Sequence, residues 1–187
     1  MPRPAVGDEL PNQCQLIELH ISELNQLFNA MDPAPFRERD LDPNAEEFIV
    51  GWARELHHDR PLALVVHLDR QPATPEAATT LKDAVRKFFQ ERARVTRQKL
   101  RQLFRTGRLS MAIGLLFLAA SVLGGDLIAN AIGESRFSGV LRESLLIGGW
   151  VAMWRPLEVF LYDWWPIRRE ARLYDRLAAM PVRIVQD

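Results

Sequence analysis

From Leu109 to Gly125 the chain reads LSMAIGLLFLAASVLGG without a charged residue, and Leu127 to Ile132 resume the apolar pattern after Asp126. A helix rises about 1.5 Å per residue, so roughly 20 residues cross a ~30 Å hydrocarbon core. The pattern predicts a transmembrane helix over about 109–132. The bland alternative is a buried soluble helix, but such helices seldom stay apolar on every face for this length. A second apolar stretch, Val140 to Trp165, contains Arg155, Pro156 and Glu158. It reaches spanning length, over about 140–162, only if those charges are accommodated. A central arginine costs about 2.5–3.5 kcal/mol on insertion scales, so such groups pair, snorkel or line a wet cavity. A re-entrant or interfacial second helix is the alternative.

The flanking charges orient this pair. A basic run ends at Arg108, and Arg168, Arg169, Arg172 and Arg176 follow the second stretch, whereas the short connection holds only Arg136 and Arg142. The positive-inside rule then places both chain ends in the cytoplasm. Trp154, Tyr162, Trp164 and Trp165 read as an interfacial aromatic belt on that side. Ala120-xxx-Gly124, Ser121-xxx-Gly125 and the Gly148-Gly149 pair put small residues on helix faces, which suits close packing within the hairpin or between copies.

The remaining patterns predict a small cytoplasmic domain. In LIELHIS, Leu16 to Ser22, apolar and polar residues alternate as in a half-buried strand, and LALVVHL, Leu62 to Leu68, is apolar on both faces as in a central strand. Between them, Glu23 to Met31 reads as a short helix ending at the Asp32–Pro35 turn. A second helix starts with Asp42 as N-cap and Pro43 in its first turn, and Ala45, Phe48, Ile49, Trp52 and Leu56 form its core-facing stripe. Thr74-Pro75-Glu76 opens a long helix that runs through Phe104 with Gly107 as its one weak point. Phe89, Ala93, Leu100, Leu103 and Phe104 share a face of it. Ile167 to Met180 reads as helix and Val182 to Val185 as a short strand that would join the sheet, since two strands alone are marginal.

The predicted fold is therefore an α+β membrane protein: a small cytoplasmic α/β domain of two or three strands, a long basic stalk helix and a two-helix transmembrane hairpin. The expected segments are 1–73 for the α/β domain, 74–108 for the stalk, 109–165 for the hairpin, and 166–187 for a closing helix and strand.

Composition sharpens this picture in two ways. Lys plus Arg equals Asp plus Glu, 24 each, but ten basic residues and only two acidic ones lie between Lys82 and Arg108. A basic helix beside a membrane span is attracted to anionic lipid at about 1 kcal/mol per charge, a simpler account than nucleic-acid binding. Arg97, Lys99, Arg101, Arg105 and Arg108 are the expected lipid-facing cations, and no nucleic-acid partner is expected. The single cysteine, Cys14, rules out an intrachain disulfide, and the N-terminal residues show no signal-peptide pattern.

Candidate chemistry is sparse. No HExxH, CxxC, glycine-rich phosphate loop or nucleophile elbow is present. No catalytic residue, cofactor or metal is expected. His20 and His67 would approach one another if their strands are neighbours, yet a metal site needs a third ligand. His57-His58 reads as a solvated helix end, the stretch Arg37 to Asp42 as a solvated loop, and Cys14 has no neighbour in sequence to activate it. The sharpest polar positions are Asp126, Arg142, Arg155 and Glu158. An antiparallel hairpin would bring Asp126 to Arg142, and Arg155 can pair with Glu158 one turn on, with Pro156 kinking the helix between them.

The segments PFRERDLDPNAEEFIVGWARE, Pro35 to Glu55, and FLYDWWPIRRE, Phe160 to Glu170, resemble uncharacterised bacterial inner-membrane proteins of similar length. The resemblance implies a place in the bacterial inner membrane and no activity or cofactor. The expected function is that of a non-enzymatic two-pass membrane protein that forms a homo-oligomer or docks another membrane protein. The alternatives are a channel or transporter component using the intramembrane charges, and a membrane-tethered enzyme with a cytoplasmic site.

Overall fold

The computed structural model describes residues 5–29, 40–56, 60–70, 74–132 and 136–186. The Asp32–Pro35 turn, His57, His58 and the first half of the Arg37–Asp42 loop, Arg37 to Arg39, lie outside them. The architecture is α+β. In chain order the elements are β1 (Ala5–Gly7), β2 (Gln15–Ile21), a 3-10 turn (Leu24–Leu27), α1 (Pro43–Glu55), β3 (Leu62–Leu68), α2 (Pro75–Ile132), α3 (Arg136–Glu158), a π-helical turn (Val159–Asp163), α4 (Trp164–Ala179) and β4 (Val182–Gln186). They form two compact units, Met1–Val95 with Glu170–Asp187, and Thr96–Arg169.

The first unit is built on a four-stranded sheet in the order β1-β4-β3-β2, with β2, β3 and β4 parallel and β1 antiparallel on the edge. The parallel strands are added in one direction. Crossovers of a shared hand then leave their helices on one face. The core follows that rule. Ile17, Leu64, Val66, Leu68, Val182 and Ile184 point to one side and cluster with Ile49 and Ala53 of α1, Leu81, Val85 and Phe89 of α2, and Leu173, Tyr174 and Leu177 of α4. The alternating residues face the other way: Leu16, Glu18 and His20 on β2 lie opposite Ala63, Val65 and His67 on β3.

The sheet has four strands where two or three were expected. The extra one, β1, has only three residues, too few for a periodic signal, and its partner is at the far end of the chain. Gly7 makes the pairing possible. Its φ is +128°, and a Cβ there would sit 2.5 Å from the carbonyl oxygen of Val182. Beside it, Asp8 accepts hydrogen bonds from Lys82 Nζ at 2.7 Å and from the Val182 N–H at 3.3 Å. Burial pushes the Asp8 carboxyl up, but those bonds and the Lys82 and Arg86 charges outweigh it, and its pKa is held below the ordinary value.

Two further expectations are corrected. The helix expected over Glu23 to Met31 is, over its described residues Glu23 to Asn29, a single 3-10 turn at Leu24–Leu27. Phe28 leaves it in extended conformation to bridge Leu41, and both side chains enter the core. Helix α1 begins as expected, with Asp42 accepting the Asn44 N–H at 2.9 Å, but its buried stripe is rotated. Ile49, Val50 and Ala53 are buried, while Phe48 and Trp52 are 39 % and 46 % exposed and lean on each other, ring centroids 6.1 Å apart. Sequence spacing cannot distinguish the centre of an apolar arc from its edge.

Helix α2 is capped by Thr74, whose Oγ1 accepts the Ala77 N–H at 3.2 Å. It then continues for 58 residues without a break at Gly107.

Candidate functional site

Within Thr96–Arg169, the distal part of α2 and the following helix run antiparallel along a seam of small residues. A Cβ on Gly107 would lie 2.7 Å from Val159 Cγ1, one on Gly114 2.9 Å from Met153 Sδ, and one on Gly149 2.7 Å from Leu118 Cδ1 and 3.5 Å from Ser121 Cβ. Gly125 meets Arg142 in the same way. Ser121, Gly125 and Gly149 of the predicted small faces thus lie in this seam. A methyl group on Gly124 or Gly148 would meet nothing within 4 Å, so these two face away from it.

What faces outward is apolar. Leu109, Ile113, Leu115, Leu116, Phe117, Leu123 and Leu127 on one helix, and Val140, Ile147, Trp150, Val151 and Trp154 on the other, are half or more exposed. Both helices are long and apolar enough to cross a membrane, and only 17 % and 22 % of their most apolar windows are buried. A core helix of a soluble protein has the opposite property.

The predicted polar positions fall at the two ends of this hairpin. Arg142 pairs with Asp126 at 3.0 Å. Arg155 pairs with Glu158 at 3.0 Å and reaches Asp163 at 3.5 Å, and Glu158 also accepts the Trp154 indole N–H at 3.2 Å. Asp163 was not anticipated as part of this cluster. Its participation depends on the π-helical turn, which changes the register of the helix after Pro156. Pro156 has no N–H to offer the Ala152 carbonyl and its ring crowds that oxygen. The carbonyl lies against Gly114, 3.3 Å from where a Cβ would be. At this end, Phe104 contacts Phe160 and Trp164, and Arg168 stacks over the Trp164 ring at 5.5 Å. Arg97, Lys99, Arg101, Arg105 and Arg108 are all exposed.

A second constellation lies on the sheet. The parallel register sets His20 directly opposite His67, and the two rings stack with centroids 4.3 Å apart and planes at 17°. Glu18, two residues before His20, shares their face, and one ligand atom from each of the three lies within 4.8 Å of the others. Periodicity put both histidines on strands. Their juxtaposition depends on strand order and register, which one strand's sequence does not encode. Cys14, just before β2, is half-buried and not part of this cluster.

The same unit has a cleft of about 360 Å³ between β1 and α2, lined by Gly7, Asp8, Thr79, Lys82, Asp83 and Arg86 among others. The Asp8–Lys82 pair lies in its wall.

Compared with protein-family models, curated proteins and solved structures, the chain has no match. Fold and geometry therefore define its class: an α+β protein with a small sheet and two helices long and apolar enough to cross a membrane.

Proposed function

We propose that this chain is a two-pass integral membrane protein of the bacterial inner membrane, non-enzymatic in its hairpin, which holds a small α/β domain at the cytoplasmic surface and docks a second copy or another membrane protein. The observation that carries the reading is the exposure of the hairpin's apolar side chains. Leaving a dozen large apolar residues in water forfeits about 1.5–3 kcal/mol each, and hydrocarbon removes that cost.

Three features support the orientation. Strands β3 and β4 are hydrogen-bonded neighbours, and the hairpin lies between them in sequence. A chain that leaves a sheet and returns to it crosses a bilayer an even number of times, so both termini share a side. The cations from Arg97 to Arg108 favour the cytoplasm and anionic lipid for that side. The exposed Tyr162 and Trp165 sit near the same end of the hairpin, where an aromatic belt belongs. The outward-facing Gly124 and Gly148 allow another helix to approach.

The channel reading draws less support. Arg155, the charge best placed to line a conduit, is engaged by Glu158 and Asp163, as expected for a charge stabilised at the membrane edge.

Reporter fusions test the topology. A reporter active only in the cytoplasm is expected to work at either terminus and to fail when inserted beside Phe137. Activity at Phe137 overturns the two-pass arrangement. Mass measurement of the detergent-solubilised protein is expected to show more than one chain or a co-purifying membrane partner, and a strictly monomeric, partner-free particle refutes docking.

A further inference from the structure

Among the described residues, the cross-strand histidines are the place where this fold gathers metal-ligand chemistry, and they are independent of the membrane reading. Three observations converge there. His20 and His67 occupy paired positions on hydrogen-bonded parallel strands, so the backbone ladder fixes the distance between their Cβ atoms. Their rings are already face to face, 4.3 Å between centroids. Glu18 adds a carboxylate from the same face of β2, and ligand atoms of all three lie within 4.8 Å of one another.

The donor set selects the class of ion. Two imidazole nitrogens and one carboxylate oxygen suit Zn²⁺ and its borderline neighbours. Ca²⁺ and Mg²⁺ prefer all-oxygen shells. Tetrahedral Zn²⁺ bonds of about 2.0–2.1 Å hold ligand atoms roughly 3.4 Å apart. The stacked rings aim their nitrogen lone pairs in nearly parallel directions, so binding requires both imidazoles to turn out of the stack until one nitrogen of each and a Glu18 oxygen converge, with the strands staying in place. Glu18 and His20 are exposed and His67 half-buried, so an ion enters from solvent without opening the core. Neutral imidazoles with one carboxylate leave the site a net charge of +1, and three protein ligands leave a fourth position for water. That pattern belongs to open sites rather than to closed structural ones.

We infer that Glu18, His20 and His67 bind one divalent transition-metal ion of the zinc class, in a two-histidine, one-carboxylate site with an open fourth position.

The test uses the full-length, tag-free protein in detergent, stripped of metal and titrated with Zn²⁺ by calorimetry and with Co²⁺ by visible absorption. The expected result is one ion per chain with Kd on the order of micromolar or tighter, and a Co²⁺ spectrum with the intense visible bands of a four-coordinate site. His20→Gln, His67→Gln and Glu18→Gln should each weaken Zn²⁺ binding at least about tenfold, while a His57→Gln, His58→Gln double variant binds like the wild type. Binding by the wild type weaker than the order of a millimolar, the weak spectrum of six-coordinate Co²⁺, or undiminished binding by His20→Gln and His67→Gln overturns the inference. Should a histidine variant fail to fold, the stoichiometry and Co²⁺ spectrum of the wild-type chain decide alone.

Discussion

Helix α2 contains two apolar surfaces of similar composition and opposite fate. Between Ala78 and Ala93 its apolar residues recur every three or four positions, and Leu81, Val85 and Phe89 are completely or almost completely buried against the sheet. Between Leu109 and Leu127 apolar residues occupy nearly every position, and Leu116, Leu109 and Leu127 are 74 %, 64 % and 69 % exposed. An amphipathic stripe finds its partner inside the protein. Among the described residues, the all-round apolar surface is covered along one seam by the second hairpin helix and is otherwise exposed. The contrast teaches that the number of apolar residues matters less than their angular distribution.

Substitutions on the two surfaces should therefore behave differently. The largest effect is expected for Phe89→Ala, which empties the centre of the soluble core and should cost about 3–5 kcal/mol. Phe117→Ala, chemically the same change, should leave the denaturant midpoint of the α/β unit unchanged. Equal losses at both positions, read by urea titration in detergent, would erase the distinction.

Within the hairpin, Gly149→Leu forces a side chain into Leu118 and should cost about 1–3 kcal/mol, whereas Gly148→Leu points into open space and should be near neutral for folding. Thermal unfolding followed by tryptophan fluorescence measures both. A neutral Gly149→Leu would show that the seam is not closely packed.

A smaller, pH-dependent effect is expected at Asp8. Its folded-state pKa is depressed, so its contribution is fully present above the unfolded-state value of about 3.9 and disappears as pH falls through the folded-state value. The stability gap between wild type and Asp8→Asn should be constant near neutral pH and narrow progressively below about pH 4. A gap that widens on acidification would contradict the Lys82 and Val182 hydrogen bonds as its source.

The smallest effect is expected at the Asp126–Arg142 pair, whose side chains are 49 % and 62 % exposed. Removing it by Asp126→Asn should cost under about 1 kcal/mol, as a double-mutant cycle with Arg142→Gln would show.

The parts of the fold that the sequence made legible are those carried by local signals. Alternation marked β2, an apolar run marked β3, and Asp42 and Thr74 marked two helix starts. The joining of β4 to the sheet was legible because two strands alone are marginal, but most other parts set by distant partners were not. Strand β1 depends on β4 for every hydrogen bond it makes in the sheet. The exposure of Phe48 and Trp52 depends on how far α1 is rotated against the sheet. The π-helical turn over Val159–Asp163 ends on the residue that reaches Arg155, and no residue type announces it. The Glu18–His20–His67 cluster was half legible, because two strands each carry a histidine but only their register makes them neighbours.

The central claim is that the surface around Phe117 and Trp150 is solvated by hydrocarbon. Alkaline carbonate extraction of cell membranes followed by density-gradient flotation tests it most directly. The account predicts that the full-length chain resists extraction and floats with the lipid. Recovery of a folded, monodisperse chain from the aqueous fraction, with neither lipid nor detergent bound, would contradict it.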